Sequence, residues 1–300
     1  MYDIIIIGAG TAGLSAAIYG TRAGKKVLVI EKSVYGGQII NALSVENYPG
    51  ISQISGYEFA ENLCRQATGL GAELLFEKAL GIQNKGEYRT VITSRSQYDG
   101  KTVILASGAR NRHLHLEREE ELTGAGISYC ATCDGAFYRG KDTAVVGGGN
   151  AALEDALFLS GYCREVYVIH RRNTFRGEMR LQEALQKKEN VRFILESQVI
   201  SLDGEQRLQS IIVKNVRTGE SCRLPVSALF IAIGQEPDNG AFSDITELDG
   251  YGYIRASEDC RTSAEGIFTA GDCRTKEVRQ LATAAADGAV AALAACGYMN

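Results

Sequence analysis

Two stretches of the chain repeat the same order of apolar, glycine-rich and amphipathic segments. In the first, the apolar run Tyr2–Ile7 leads into the glycine turn Gly8-Ala-Gly10-Thr-Ala-Gly13. A helical pattern follows, and then a second apolar run, Lys26-Val-Leu-Val-Ile30, which ends at Glu31. Short apolar runs joined by a helix at this spacing predict a β-α-β unit of a buried parallel sheet.

The second stretch contains the same unit. The run Thr143-Ala-Val-Val-Gly147-Gly-Gly149-Asn-Ala-Ala152 lies 139 residues after the first when Gly8 is matched to Gly147. It continues through a helical pattern to Glu165-Val-Tyr-Val-Ile169, and His170 then occupies the position of Glu31. The repeat therefore predicts two Rossmann-like domains of the α/β class, each three-layered around a parallel sheet.

The end of the chain indicates how the two domains are connected. After the second unit, one apolar strand (266–272) and one helix (278–296) follow without a glycine turn of their own. These elements most simply complete the first domain, so the second domain is an insertion. We predict a first domain from residues 1–112 and 241–300, an inserted domain of residues 113–240, and linkers near 111–117 and 236–243.

Each glycine turn is typical of a dinucleotide site. Glycines allow the backbone to approach a pyrophosphate, which the free N–H groups of the following helix favour. The predicted cofactor-binding residues of the turns are Gly8, Gly10 and Gly13 in the first domain, and Gly147, Gly149, Asn150 and Ala152 in the second.

The residue after the second strand distinguishes the two sites. Glu31 suits a plain ribose, because a carboxylate accepts hydrogen bonds from a diol and repels a 2′-phosphate. His170 is instead followed by Arg171, Arg172 and Arg176, which offer charge-assisted donors to a 2′-phosphate. The sequence predicts a dinucleotide with a plain ribose, FAD or NAD, in the first domain and NADPH in the second; a merely solvated basic face remains the alternative for the arginines.

Composition excludes several classes of partner. The chain has 300 residues, of which 45% are hydrophobic and 23% charged, and its net charge is −4. These values predict a globular fold and give no reason to expect nucleic acid or a membrane as partner. The Ala-rich tail 281–296 is interrupted by Asp287, so we expect a packed helix. No basic leader precedes the first strand, which predicts a cytoplasmic protein.

Of the eight cysteines, only Cys130 and Cys133 have a chemically meaningful short spacing. A C-x-x-C pair in an α/β protein predicts a redox-active dithiol, and the adjacent Asp134 is a candidate acid or base. The alternative is a zinc site completed by His113 and His115, whose default interpretation is exposed linker histidines. We favour the dithiol and predict no metal.

From end to end, the chain resembles the low-molecular-weight (bacterial-type) thioredoxin reductase family. The matching segments are Gly8–Gly13, Gly36-Gly37-Gln38, Glu46-Asn47-Tyr48-Pro49-Gly50, Cys130-Ala-Thr-Cys133-Asp134-Gly135, Gly147–Ala152, His170–Arg176, Gly271-Asp272 and Arg279-Gln280.

The resemblance implies a homodimeric NADPH-dependent enzyme that reduces the disulfide of thioredoxin. It implies that Cys133 faces the flavin, that Cys130 attacks thioredoxin and that Asp134 is the acid/base. The further FAD-binding residues implied are Gly37, Gln38, Asn47, Gly271, Asp272, Arg279 and Gln280. Because dithiol and NADPH site share one domain, we also expect that domain to rotate during catalysis.

Three other functions remain open from the sequence. A ferredoxin-linked flavin thioredoxin reductase and a small-molecule dithiol oxidase would use the same flavin–dithiol exchange. A flavin-bearing redox sensor would carry the same groups without turnover.

Overall fold

The computed structural model describes residues 1–42 and 44–299, so Leu43 and Asn300 lie outside the described residues. The chain forms two compact units, Met1–Arg110 with Glu236–Asn300, and Asn111–Gln235. These boundaries lie two and five residues before the predicted ones. Residues 236–240 join the first unit because Asn239 is buried there and donates hydrogen bonds to the carbonyl oxygens of Gly252 and Cys273.

The elements are given in chain order. The strands are β1 (Tyr2–Ile7), β2 (Val27–Glu31), β3 (Glu73–Phe76), β4 (Ala79–Asn84), β5 (Arg89–Thr93), β6 (Gln97–Leu105), β7 (Ala109–Asn111), β8 (Ile127–Ser128), β9 (Asp142–Val146), β10 (Glu165–Ile169), β11 (Val191–Ile194), β12 (Ser197–Asp203), β13 (Ser210–Asn215), β14 (Ser221–Pro225), β15 (Ala228–Ile231), β16 (Gln235–Pro237) and β17 (Ile267–Thr269). The α-helices are α1 (Thr11–Arg22), α2 (Gly56–Gly69), α3 (Ala131–Asp134), α4 (Asn150–Leu159), α5 (Met179–Gln186) and α6 (Leu281–Tyr298). Short 3-10 helices cover Gly37–Asn41, Gly135–Tyr138, Gly240–Phe242 and Gly271–Cys273.

The first unit is built on a seven-stranded sheet. Its parallel part has the order β3-β2-β1-β6, with β17 parallel to the second half of β6 and antiparallel β5 beside the first half. Along β1, Ile4 and Ile6 pack in one core cluster with α1 and α6, whereas Ile5 and Ile7 pack in another on the opposite face. The sheet is therefore the middle layer, apolar on both faces.

The second unit has an all-parallel sheet of the order β11-β10-β9-β15-β8. One face packs on α4 and α5, and the other packs on a separate antiparallel sheet, β12-β13-β14. The predicted α/β class with parallel sheets is confirmed, while the antiparallel strands were not placed by the sequence pattern. The chain passes from the first unit to the second along β7 and returns along β16, and these two strands pair with each other.

Helix α6 is long and apolar enough, by length and composition alone, to cross a membrane, with a mean hydropathy of 1.3. In the structure it packs along α1 as a core helix. A Cβ on Gly288 would lie 2.2 Å from the carbonyl oxygen of Ala12, so the two helices are in close contact there. The buried Asp287 forms ion pairs with Arg274 and Lys276. The structure thus shows the packed helix that the sequence predicts.

Candidate functional site

The two glycine turns share one geometry. Gly8 has a φ of 108°, and a Cβ there would lie 2.2 Å from the carbonyl oxygen of Ala106. A Cβ on Gly147 would lie 2.4 Å from the carbonyl oxygen of Ala232, the corresponding residue after β15. In each unit the first glycine therefore lets the turn pass directly over the end of a neighbouring strand.

Glu31 ends β2 with a buried carboxylate that is already partly engaged. The N–H of Ala9 donates to its Oε2 at 2.8 Å, and the N–H of Ser33 donates to its Oε1 at 3.1 Å. Each carboxylate oxygen has further lone pairs. The side chain is thus held against the turn with acceptor capacity left for a ligand.

A cleft of about 350 Å³ lies within the first unit beside this turn. Its lining includes most of the residues predicted to bind FAD: Gly8, Gly10, Glu31, Gly37, Gln38, Gly271, Asp272 and Gln280. The Oδ1 atom of Asp272 is buried and has no hydrogen-bond partner among residues 1–42 and 44–299, and burial raises the pKa of this carboxyl. A buried acceptor without a donor fits a ligand that brings hydroxyl groups, as a flavin dinucleotide does.

Three predicted FAD residues do not line this cleft. Gly13 has a packing role, because a Cβ there would lie 1.8 Å from the carbonyl oxygen of Gly8. Asn47 donates to Oε1 of Gln280 at 3.2 Å and so acts on a residue that does line the cleft. The guanidinium of Arg279 lies 4.2 Å above the ring of Tyr253.

Asp287 is a site residue that the sequence reasoning missed. Its Oδ2 accepts from the N–H of Gly271 at 3.0 Å, from Arg274 Nε at 2.8 Å and from Lys276 Nζ at 2.9 Å. Burial tends to raise its pKa, but the hydrogen bonds from Arg274 and Lys276 outweigh burial and lower it. The carboxylate thereby fixes the turn that presents Asp272. The only sequence signal was a lone acid inside an apolar helix.

In the second unit, His170 lies beneath the glycine turn and not at a free rim. Its ring stacks on Phe175 with centroids 5.4 Å apart, and a Cβ on Gly148 would lie 2.2 Å from the ring. Burial and the charges of Arg172 and Arg176 lower the pKa of His170. The imidazole is therefore neutral near pH 7 and supports the turn by packing.

The side chains of Arg171, Arg172 and Arg176 are exposed around this turn. Within the described part of the chain, no carboxylate lies within ion-pair distance of any of the three. The N–H of Arg176 donates to the carbonyl oxygen of Gly148 at 2.7 Å, which ties the cluster to the turn. Unpaired guanidinium groups at this position can bind an anion.

The other predicted residues of the second turn start helix α4. Gly149 is the N-cap residue, and Asn150 exchanges two hydrogen bonds with Glu178, at 2.9 and 2.8 Å. Ala152 is buried, and a Cβ on Gly147 would lie 2.6 Å from its Cβ. Ala152 therefore sets the packing of helix against turn.

Cys130 and Cys133 form a disulfide at the start of α3, with Cα atoms 5.3 Å apart. Asp134 follows directly, and its N–H donates to the carbonyl oxygen of Cys130 at 3.1 Å. Burial raises the pKa of Asp134, and a 2.6 Å hydrogen bond from Ser128 Oγ opposes that shift. Sequence reasoning did not single out Ser128, which lies two residues before the first cysteine.

The structure brings together no zinc ligand set from these residues. The two cysteines bind each other, and the described residues include no group of three His, Cys, Asp or Glu side chains that could hold a metal. His113 lies with Nδ1 2.8 Å from the Tyr129 hydroxyl and 3.3 Å from the buried Glu119 carboxylate. The His113 side chain is 39% exposed, as expected for a linker histidine, and it also takes part in a polar network with Tyr129 and Glu119.

Comparisons with known proteins agree over nearly the whole chain. The pyridine nucleotide-disulphide oxidoreductase family matches residues 2–289. A thioredoxin reductase from Treponema pallidum is 43% identical over 100% of this chain and 97% of its own length. The crystal structure of thioredoxin reductase from Streptococcus pyogenes has a TM-score of 0.95 and 39% identity, covering 100% of this chain and 98% of that one. Thioredoxin reductase from Giardia duodenalis has a TM-score of 0.94 and 33% identity, covering 99% and 98%.

Proposed function

The chain belongs to the pyridine nucleotide-disulphide oxidoreductase family, among its bacterial-type thioredoxin reductases, and we propose that it passes electrons from NADPH through FAD and the Cys130–Cys133 pair to the disulfide of thioredoxin. It is thus a flavoprotein disulfide reductase. The observation that carries the proposal is the Cys130–Cys133 disulfide in the same unit as an arginine-marked dinucleotide turn, in a chain whose other unit has an acid-marked turn. When bound, FAD supplies the redox chemistry that links hydride transfer from NADPH to reduction of the disulfide.

The first unit has the residues to hold FAD. The N–H groups at the Gly8–Gly13 turn suit a pyrophosphate, and Glu31 suits a ribose diol. The buried Oδ1 atom of Asp272 is an acceptor for which the described residues supply no donor. In the second unit, the Gly147–Ala152 turn and the three unpaired arginines suit NADPH and its 2′-phosphate.

We assign Cys130 to attack on thioredoxin, Cys133 to resolution and Asp134 to proton transfer. In the reduced pair, the Cys130 thiolate bonds to one sulfur of the thioredoxin disulfide, and the other sulfur leaves with the electron pair of the broken bond. Asp134 passes this departing sulfur a proton taken from the enzyme dithiol. Cys133 then attacks the Cys130 sulfur, which restores the enzyme disulfide and releases the second thioredoxin thiol with the second proton.

The steady-state rate with NADPH and a thioredoxin from the same source tests the function. We expect one NADPH consumed for each thioredoxin disulfide reduced. Rapid oxygen consumption with a small dithiol as the electron donor would indicate a dithiol oxidase instead. A slow response without turnover would indicate a redox sensor, and activity with ferredoxin alone would indicate the ferredoxin-linked class.

Two cysteine variants test the assigned roles. Cys130→Ser should keep NADPH-driven bleaching of the flavin and lose thioredoxin reduction. Cys133→Ser should also lose turnover but trap a mixed disulfide through Cys130. Cys222→Ser, at an exposed free cysteine of the same unit, is the matched control and should keep full activity. A trapped adduct found only with Cys130→Ser would reverse the assignment.

Assembly and location extend the same proposal. We propose a cytoplasmic protein that forms a homodimer, the dimer being what the resemblance implies; α6 exposes Val290 and Leu293, which suits burial against a second copy. Light scattering of the FAD-loaded protein should give the mass of two chains, and the mass of one chain would contradict the proposal. The expected rotation of the inserted domain stays a prediction.

A further inference from the structure

Ser128 is buried at the end of the edge strand of the second unit's parallel sheet. It is 3% exposed, and it pairs with Phe230 of β15 in the sheet register. The sheet thus fixes the backbone as far as Ser128, and Cys130 and α3 follow within a few residues. A side chain at this position can anchor the redox loop to the rigid part of the unit.

The hydroxyl of Ser128 contacts both the predicted acid and the first cysteine. It donates to Asp134 Oδ2 at 2.6 Å and accepts from the N–H of Cys130 at 3.1 Å. The carbonyl oxygen of Cys130 lies 3.4 Å from the same Oγ and is a second possible acceptor. A hydroxyl can rotate, so Ser128 can donate to an ionised Asp134 or turn toward Cys130 and accept from a protonated Asp134.

We propose that Ser128 is a positioning residue for disulfide exchange, which holds the Asp134 carboxyl beside the Cys130–Cys133 pair in both of its protonation states. This inference rests on the proposed function, because it deepens the role given there to Asp134. An acid that gives and regains a proton in each cycle needs a partner that serves both states. Ser128 meets this need without a charge that would fix Asp134 in one state.

Among the described residues, Ser128 is the side chain that hydrogen-bonds to the Asp134 carboxyl. Burial raises the pKa of Asp134, and the hydrogen bond from Ser128 lowers it. The nearby titratable groups are Tyr138, whose pKa is raised by burial and by the charge of Asp134, and Arg207, whose charge opposes that rise. Removing the Ser128 hydroxyl should therefore raise the pKa of Asp134 further.

The activity test compares Ser128→Ala with a matched control. Ser210 is 2% exposed in the same unit and donates to Asp203 Oδ2 at 3.1 Å, so Ser210→Ala removes the same kind of bond elsewhere. With FAD-loaded protein, Ser128→Ala should lower kcat for thioredoxin by about tenfold, a fraction of what a general acid contributes. NADPH-driven flavin bleaching should not change, and Ser128→Thr should recover most of kcat. Ser210→Ala should match the unchanged protein.

Combining Ser128→Ala with Asp134→Asn shows whether Ser128 acts through Asp134. If it does, the double variant is no slower than Asp134→Asn alone, because the residue being positioned is already absent. Losses that multiply would overturn the proposal, and so would a Ser128→Ala protein as active as Ser210→Ala.

A titration that needs no turnover separates this inference from the proposed function. The measurement uses oxidised, FAD-loaded protein with ¹³C-labelled aspartate carboxyls. The Asp134 resonance is identified as the one that is missing from the spectrum of Asp134→Asn. The pKa read from it should rise in Ser128→Ala and stay unchanged in Ser210→Ala. An unchanged pKa in Ser128→Ala would overturn the inference even in an active enzyme, whereas failure of the unchanged protein to reduce thioredoxin would overturn the proposed function alone.

Discussion

The turn after β1 and the turn after β9 share one backbone design, but the residues after their second strands differ. After β2, the Glu31 carboxylate is buried and fastened to the turn by the N–H groups of Ala9 and Ser33. After β10, His170 is packed under the turn as a neutral ring, and exposed arginines take over the rim. In the first unit the charge lies on the last residue of the second strand, whereas in the second unit it lies on residues that follow the strand.

This difference suits the recognition of two related dinucleotides by one fold. Four strands of each parallel sheet have the same order around the glycine turn, β3-β2-β1-β6 and β11-β10-β9-β15. Under the proposed assignment, pyrophosphate binding would depend on this shared backbone, whereas ribose recognition would depend on a few side chains of opposite charge. We infer that the preference for FAD or NADPH can be altered at one site without disturbing the other.

The largest expected effect comes from a substitution that disrupts only the predicted FAD site of the first unit. Asp287→Ala leaves Arg274 and Lys276 buried without their carboxylate and Gly271 without its acceptor. Loss of one member of a buried ion pair costs about 3–5 kcal/mol of unfolding free energy. We expect a large fall in Tm and loss of FAD on dialysis, with NADPH binding to the second unit retained.

Two further variants keep this prediction testable. Asp287→Asn preserves the shape and should show a smaller loss of FAD, in case Asp287→Ala does not fold. Glu61→Ala breaks an exposed pair with Arg65 and should cost at most about 0.5 kcal/mol of unfolding free energy.

The contribution of Asp287 to stability should depend on pH. Because the pKa of Asp287 is lowered in the folded protein, the stabilisation that it provides is full above the ordinary aspartate pKa of about 4 and is lost as pH falls below it. A Tm difference that persists undiminished in strong acid would contradict this account.

A second prediction concerns the acid of the first turn. Glu31→Ala removes the acceptor for two backbone N–H groups and for the ligand ribose. Hydrogen bonds to a charged group contribute about 1.5–3 kcal/mol, so the Kd for FAD should rise about ten- to a hundredfold. Glu31→Gln keeps one acceptor oxygen and should lose less. Flavin fluorescence during titration of apoprotein measures both, and an unchanged Kd in Glu31→Ala would remove the assigned role.

The smallest expected effect concerns Asp155, whose pKa is shifted in the direction opposite to that of Asp287. Burial, with the charge of Glu154, raises the pKa of Asp155 in α4 to about 7. The folded state then keeps a proton that the unfolded state has lost, so stability falls as pH rises from about 4 to 7. Asp155→Asn should raise Tm slightly at pH 8 and leave it unchanged at pH 4. Glu183→Gln, at an exposed position of α5, should have no effect at either pH, and a lower Tm for Asp155→Asn at pH 8 would refute the assignment.

The repeat made the fold predictable because it is a local pattern. The strands β1, β2, β9 and β10 and both glycine turns follow from short apolar runs and spacing. The role of Asp287 did not follow, because its partners Gly271, Arg274 and Lys276 reach it only through tertiary packing. The sequence placed His170 at the end of the second strand and predicted that it binds the dinucleotide. It did not reveal that the His170 ring packs under Gly148, because that contact depends on tertiary structure.

The preference between NADPH and NADH tests the central claim, that two equal turns are distinguished by charge. We compare the kcat/KM values of the two coenzymes in the unchanged protein, in the combined Arg171→Ala, Arg172→Ala and Arg176→Ala variant, and in Arg180→Ala. Arg180 is an exposed arginine of the same unit whose side chain pairs with Glu178, which makes it the control. We predict that the combined variant loses about ten- to a hundredfold or more with NADPH. NADH activity and FAD content should stay the same, and an equal loss with both coenzymes would contradict the account.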